Sequence, residues 1–359
     1  TFLRNKENAR NARTLFIDEL AAIQAENGKT TEKARLKSML YIEKQRLSSR
    51  RIKFMEGATG GCGVRSIITK DEHGQDLELT DQATTEKALL GSNEVKFTQC
   101  SNHEFFTTDL HKDIGMYGEK ENAKKILNGT YQPPEGTSPS MCNLLEELKR
   151  PPQVNTSPIV STELSTEKYI SGWKNCKEKT SAGGQTNFSQ HKALASLQET
   201  ADFEATMYNI PYATGYSPSR YQFGTDAMLL KASKSRRIEK LRTIILYVAE
   251  FNFMNKILGR DMMADTESNN SLAPEQFGSR KAKSAIELAV CKRLTFDITR
   301  QKKHPAALCS NDAVSCYDRI IHAIASISMQ RTGVPLEPII CMFSTIGNLT
   351  HNVRTAFGD

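Results

Sequence analysis

Long apolar runs are missing from this chain. The longest, residues 244–253, is broken by Glu250 and falls well short of the roughly 20 residues a membrane helix needs, so a membrane-spanning protein is excluded. Close cysteine pairs are missing too: the eight cysteines stand at 62, 100, 142, 176, 291, 309, 316 and 341, never two to four residues apart. That spacing excludes a zinc ribbon or finger, and thiols this scattered in a chain of 359 residues are expected to be reduced, in the nucleus or the cytoplasm. The first residues, Thr1, Arg4, Lys6 and Arg10, hold no apolar core of signal-peptide length. Secretion is not expected, and the chain is expected to begin inside a longer reading frame. Tryptophan occurs once and no Asp-Asp pair occurs at all. Lys and Arg outnumber Asp and Glu by 48 to 41, a balance that permits a polyanionic partner without requiring one.

What is present suggests five regions. Residues 1–56 read as two helices, from Phe16, Leu20 and Ile23 and then from Leu36, Met39, Leu40 and Leu47. The second is rich in Lys and Arg between 29 and 53, which reads either as a solvated helix face or as a nucleic-acid contact. Gly-rich 57–63 lacks the Lys-Ser/Thr ending of a phosphate loop and opens a small α+β segment, 57–127, with a strand at 64–69, a turn at His73 and Gly74, and a helix over 81–97. Half of the 12 prolines fall in 128–165, which reads as a Pro/Ser/Thr-rich linker broken by a short helix over 142–149. Region 166–304 begins with a helix carrying Tyr169, Ile170 and Trp173, the tryptophan as a core anchor. It continues with two strands, 226–231 and 241–248, joined by a basic tip at Lys234, Arg236, Arg237 and Lys240. Next comes a helix with Met254, Ile257, Leu258 and Met262 on one face and Lys256 and Arg260 off it, then a helix with Ile286, Val290, Leu294 and Ile298 every fourth residue. Region 305–359 opens with a short buried-strand candidate, 305–309. A helical stripe of Tyr317, Ile320, Ile321, Ile324 and Ile327 follows and stops at Gly333 and Pro335; a further helix and a strand over 351–357 complete it.

Asp312 follows the strand candidate and precedes a helix. An acid at a strand's C-terminal end is a common place for a metal-binding carboxylate, and equally for a helix cap. Arg280 reads as a ligand-binding cation or a surface charge near a helix start, Tyr317 as a site residue or the first member of a core stripe, and Lys231 and Lys240 as contacts or solvated charges.

The string NDAVSCYDRI at 311–320, with Asp312, Tyr317 five residues on and Asp318 directly after, resembles the first palm motif of reverse transcriptases of non-LTR, LINE-like retrotransposons. QFGSRKAKSAIE at 276–287 resembles that family's fingers motif, with Ser279 where Phe is usual and Arg280 in place. LRTIIL at 241–246, with Lys256 in the helix behind it, is similar to the first fingers motif, with Thr243 in place of Pro. The resemblance covers roughly 217–359 in the right order. It implies an α+β, right-hand polymerase fold that is incomplete, holding the fingers and the first half of the palm, because the family's paired aspartates and its Gln-Gly motif are not in this sequence. It also implies Mg²⁺ as cofactor, with Asp312 as a metal ligand and catalytic carboxylate. Tyr317 would lie under the deoxyribose; Arg280, Arg242 and Lys231 would hold phosphates. The implied partners are an RNA template, a DNA primer and deoxynucleoside triphosphates. The alternative is a catalytically silent, nucleic-acid-binding remnant of such an element.

Overall fold

Asp81 stands one residue before an uninterrupted helical segment, and in the computed structural model its carboxylate accepts the Thr84 N–H at 2.9 Å, capping helix α1 (Gln82–Phe97). The structure describes residues 64–155, 159–177, 180–183, 187–231, 235–313 and 315–358. The expected basic helices of 1–56, the Gly-rich 57–63 and Lys234 lie outside the described residues.

Ahead of α1, β1 (Ile67–Lys70) and β2 (Asp76–Leu79) form an antiparallel hairpin. Its turn is set by Asp71, whose side chain accepts the N–H groups of His73 and Gln75, and by Gly74 at φ +76°. The expected strand pair follows as β3 (Phe223–Leu230) and β4 (Leu241–Tyr247), antiparallel with Leu230 opposite Leu241. The C-terminal strand β5 (Thr350–Arg354) adds parallel to β3, giving the order β4-β3-β5. Helix α1 covers this sheet through Leu89, which is buried with Ile67, Leu241 and Val353. The basic connection between β3 and β4 is not a free charged tip: Arg236 pairs with Glu78 and Arg237 with Asp76, both on β2.

The stretch expected as a linker packs as part of the fold. It carries α3 (Pro139–Glu147), which follows α2 (Glu121–Asn128). Met141, Leu145 and Leu148 are buried with Phe105, Ile114, Ile126 and Ile327, and Val160 and Leu164 enter the main core. Prolines marked where the backbone turns, while the aliphatic residues between them found apolar neighbours.

That main core joins α4 (Thr166–Lys174), α5 (Phe188–Leu194), α6 (Gln198–Thr214) and α7 (Ala249–Ser268). Trp173 anchors it, fully buried, with its ring stacked on Phe253 at 4.2 Å and on His191 at 4.8 Å. Gly172 permits the approach: a Cβ there would sit 2.8 Å from the Phe253 ring. Met254, Ile257 and Leu258 of α7 are buried and Lys256 and Arg260 exposed, as their spacing predicts.

Helix α8 (Ala285–Gln301) forms where the spacing predicts it, closed by a reciprocal Ser284/Glu287 capping box, and its apolar stripe is uncovered: Ile286, Val290, Leu294 and Ile298 are all at least half exposed. Two expectations are corrected. The segment 305–309 is not a buried strand; it is irregular and exposed through 313, and no described strand pairs with it. Extended backbone becomes a strand only where a neighbour completes its hydrogen bonds, and here none does. The stripe starting at Tyr317 is not one helix. Ser315 takes a left-handed conformation at φ +51°, Cys316–Arg319 form a 3₁₀ turn, and α9 (His322–Arg331) begins only after Ile320 and Ile321 have extended the chain. Helix α9 ends at Thr332 and Gly333 (φ +92°), and α10 (Leu336–Gly347) follows Pro335.

Candidate functional site

The five residues singled out from sequence occupy three separate places. Arg242 lies on β4 opposite Leu229. The pleat turns it away from Thr243, whose hydroxyl donates to Asn93 on α1, and leaves it exposed. Lys231 follows β3, its N–H bonded to the Lys240 carbonyl at 2.9 Å and its side chain in solvent. Asp312 is exposed on the irregular 305–313 segment and caps no helix. Tyr317 is 88% exposed, so it is no core anchor. Among the described residues no hydrogen bond or ion pair joins Asp312 or Tyr317 to the three cations.

Asp312 stands exposed on the irregular segment, whereas Asp318, the acid next to Tyr317 in the motif, borders a cavity. Its turn is fastened to the end of α1: the Cys100 thiol donates to the Arg319 carbonyl at 2.7 Å, and Arg319 Nε donates to Gln99 Oε1 at 2.9 Å. Asp318 then lines a cavity of about 390 Å³ with Phe97, Cys100, Phe106, Met116 and His322. Burial and the like charge of Lys231 hold the Lys96 ammonium below the ordinary lysine range, against the opposing pull of Asp318 and Asp226.

Arg280 builds rather than waits. Its guanidinium grips Glu267 at the end of α7 with two parallel bonds, Nε to Oε1 at 2.7 Å and Nη2 to Oε2 at 2.8 Å. Nη1 donates to the carbonyls of Ala273 and Gln276. Each partner stabilises the charge of the other, so the Glu267 carboxyl is held below its usual range and the guanidinium above. These bonds fold 273–280 back against α7 and border a groove of about 890 Å³. One wall is the exposed face of α7, with Lys256, Gly259, Arg260 and Met263; the other is Ser279, Lys281 and Ala282. Ser279 and Ala282 both hold φ of +59°, a region that side chains with a Cβ seldom occupy. Neither Arg260 nor Lys281 has an ion-pair partner among the described residues.

Sequence reasoning passed over two buried polar clusters. Asp226, with no exposed surface, lies mid-strand on β3, where it accepts from Asn93 Nδ2 at 2.7 Å and contacts His351 Nδ1 at 3.0 Å. The second is in the main core: His191 Nδ1 lies 3.1 Å from the Tyr208 hydroxyl, and His191 Nε2 lies 3.6 Å from Glu250, which sits in the first turn of α7. Burial raises the Tyr208 hydroxyl far above its usual range and pushes Tyr221 up to about 12. An acid amid the apolar residues of β3 was a readable signal for the first cluster; nothing local connects 191, 208 and 250.

Nucleotidyl transfer needs carboxylates converging on metal ions. Asp312 stands alone, and among the described residues no three His, Cys, Asp or Glu side chains gather where a metal could bind. The donor set present does not fit the pair of Mg²⁺ ions that the resemblance implies. Compared with known proteins, the chain matches no family model and no curated protein.

Proposed function

We propose that the chain is the fingers and first palm segment of an RNA-directed DNA polymerase of the non-LTR retroelement type. Its task is to hold an RNA template, a DNA primer and deoxynucleoside triphosphates for a Mg²⁺-dependent transfer performed by the complete protein. The observation that carries this reading is the order of three motifs along one continuous run of elements. LRTIIL forms β4, QFGSRK forms the loop folded on α7, and NDAVSCYDRI follows α8. Arg280 supports it as the residue that fixes the loop and thereby positions the cations beside it. With a single carboxylate in hand, the 359-residue chain alone is expected to extend no primer.

The test is the reading frame beyond codon 359. An in-frame Gln-Gly motif and a Tyr/Phe-x-Asp-Asp turn are expected, and the product of that longer frame should extend a DNA primer on RNA with Mg²⁺, an activity lost in Asp312→Asn. A frame without these motifs overturns the reading. A silent nucleic-acid-binding remnant is the second reading, favoured by one observation: the cations of the groove converge while the carboxylates do not.

A further inference from the structure

The geometry points to the groove between α7 and residues 279–282 as the track of a single nucleic-acid strand, with Gly259 as its floor. This deepens the polymerase reading by naming the residues that hold the strand, and it rests on that reading only for the strand's role.

Three independent observations converge there. The first is charge. Lys256 and Arg260, one helical turn apart on the exposed face of α7, and Lys281 on the opposite wall bring three cations to one groove. Glu267, the acid at its end, is already neutralised by Arg280. Phosphates spaced along a strand fit cations spread along a groove, whereas a single compact anion would need them focused at one point.

The second is Gly259. Glycine inside a helix costs about 1 kcal/mol relative to alanine, and a buried helical glycine usually repays that cost by letting a neighbour approach. No neighbour does so here: a Cβ built on Gly259 meets nothing within 4 Å. Gly172, against Phe253, shows what a packing glycine looks like in the same protein. Gly91 of α1 is likewise a mid-helix glycine with nothing within 4 Å, so open space alone marks no ligand; Gly259 differs in lining the groove, whose floor it leaves free of a side chain.

The third is the character of the walls. Between the charged ends, the groove offers Met263, Ala264 and the methylene stems of Lys256, Arg260 and Lys281. Sugars and base faces of an unpaired strand rest on such a surface, while a duplex presents phosphates outward and keeps its bases stacked inside.

The experiment measures binding of labelled 12-nucleotide single-stranded RNA, single-stranded DNA and duplex DNA to the whole 359-residue chain by fluorescence anisotropy across a salt series. Arg260→Glu with Lys281→Glu should weaken single-strand binding at least tenfold and flatten the slope of log affinity against log salt by about 1 to 2, at roughly 0.7 per phosphate lost. Gly259→Leu should weaken binding by a similar factor while the thermal midpoint holds or rises, because the variant improves helix propensity and fills only the groove. Lys124→Glu with Lys125→Glu, two reversals on α2, serves as the control for net charge. Unchanged affinity and slope in the groove double reversal, unchanged affinity in Gly259→Leu, an equal loss in Lys124→Glu/Lys125→Glu, or preference for the duplex would each overturn the inference. The assay needs neither Asp312 nor any residue beyond 359. A groove that passes in a gene lacking the downstream motifs leaves this inference standing while the polymerase reading falls.

Discussion

His351→Leu should unfasten the three-stranded sheet. Asp226 has no exposed surface and lies in the central strand, where Asn93 from α1 and His351 from β5 meet its carboxylate at 2.7 and 3.0 Å. Leaving a buried polar group without one of its hydrogen-bond partners typically costs about 1–3 kcal/mol, and more for a carboxylate, because the group that stays has lost water and gained nothing. Two features lower that figure here. Asn93 continues to donate, and the His351 side chain is 27% exposed, so water can reach the vacated place. Leucine also keeps apolar contact with Phe97, on which the imidazole stacks at 5.3 Å. A loss of about 2–3 kcal/mol is expected, or roughly 3–5 °C in Tm for a chain of this size. Asp226→Asn, which keeps the shape and removes the charge, should cost less, and Asp226→Asn/His351→Leu should cost clearly less than the two single losses added. Urea unfolding followed by the fluorescence of Trp173, the chain's single tryptophan and a resident of a different cluster, reports the whole fold. A His351→Leu change within about 0.5 kcal/mol of the parent, or strict additivity in the double variant, would refute the claim that this pair pins β5 to β3.

Gly172→Ala should destabilise by about 1–3 kcal/mol in the same assay, since its Cβ would lie 2.8 Å from the ring of Phe253 and that ring is already held against Trp173. Tyr317→Ala and Leu294→Gln should each change stability by less than about 0.5 kcal/mol because both side chains are exposed, whereas Ile339→Ala, fully buried on α10, should cost about 2–5 kcal/mol. Glu267 has its carboxyl lowered by Arg280, so the folded state binds its proton more weakly than the unfolded state. The bond is fully present above the ordinary glutamate range and is lost as pH falls through the lowered value. Hydrogen exchange over 273–282 should accelerate on that acidification, and Arg280→Gln should show the fast rate at every pH.

The elements most legible from sequence were those whose signal is local. Asp81 and Ser284 announce helix starts because a side-chain oxygen one residue ahead of a helix has only nearby N–H groups to satisfy. Gly333 and Pro335 announce a stop for an equally local reason. The β3/β4 pair was legible from two apolar runs with a short connection. Residues 305–309 were misread because strand character belongs to a pair of segments, and the composition of one says nothing of the other. The stripe on α8 gave the helix and no more: Ile286, Val290, Leu294 and Ile298 fix where an apolar face points, not whether anything covers it. The cluster of His191, Tyr208 and Glu250 was invisible because α5, α6 and α7 contribute one residue each.

The candidate site shows a different kind of legibility. Motif order led to Asp312, the residue with the fewest partners, while the groove beside Arg280 went unread although its parts break local rules that can be checked residue by residue. Gly259 is mid-helix with no neighbour to justify it, and Ser279 and Ala282 both adopt left-handed backbone that their own Cβ atoms oppose. Lys256 and Arg260 spend two turns of one helix face on like charges. Each departure costs stability, and a chain under selection for folding alone would lose them one at a time. Two of the five described non-glycine residues with left-handed backbone, Ser279 and Ala282, and one of the two mid-helix glycines with open space around them, Gly259, border the groove held by the bidentate bond from Arg280 to Glu267. Those costs stand beside three cations on the same surface, and that combination argues for the Gly259 groove, ahead of the solvated carboxylate of Asp312, as the place where this chain meets its ligand.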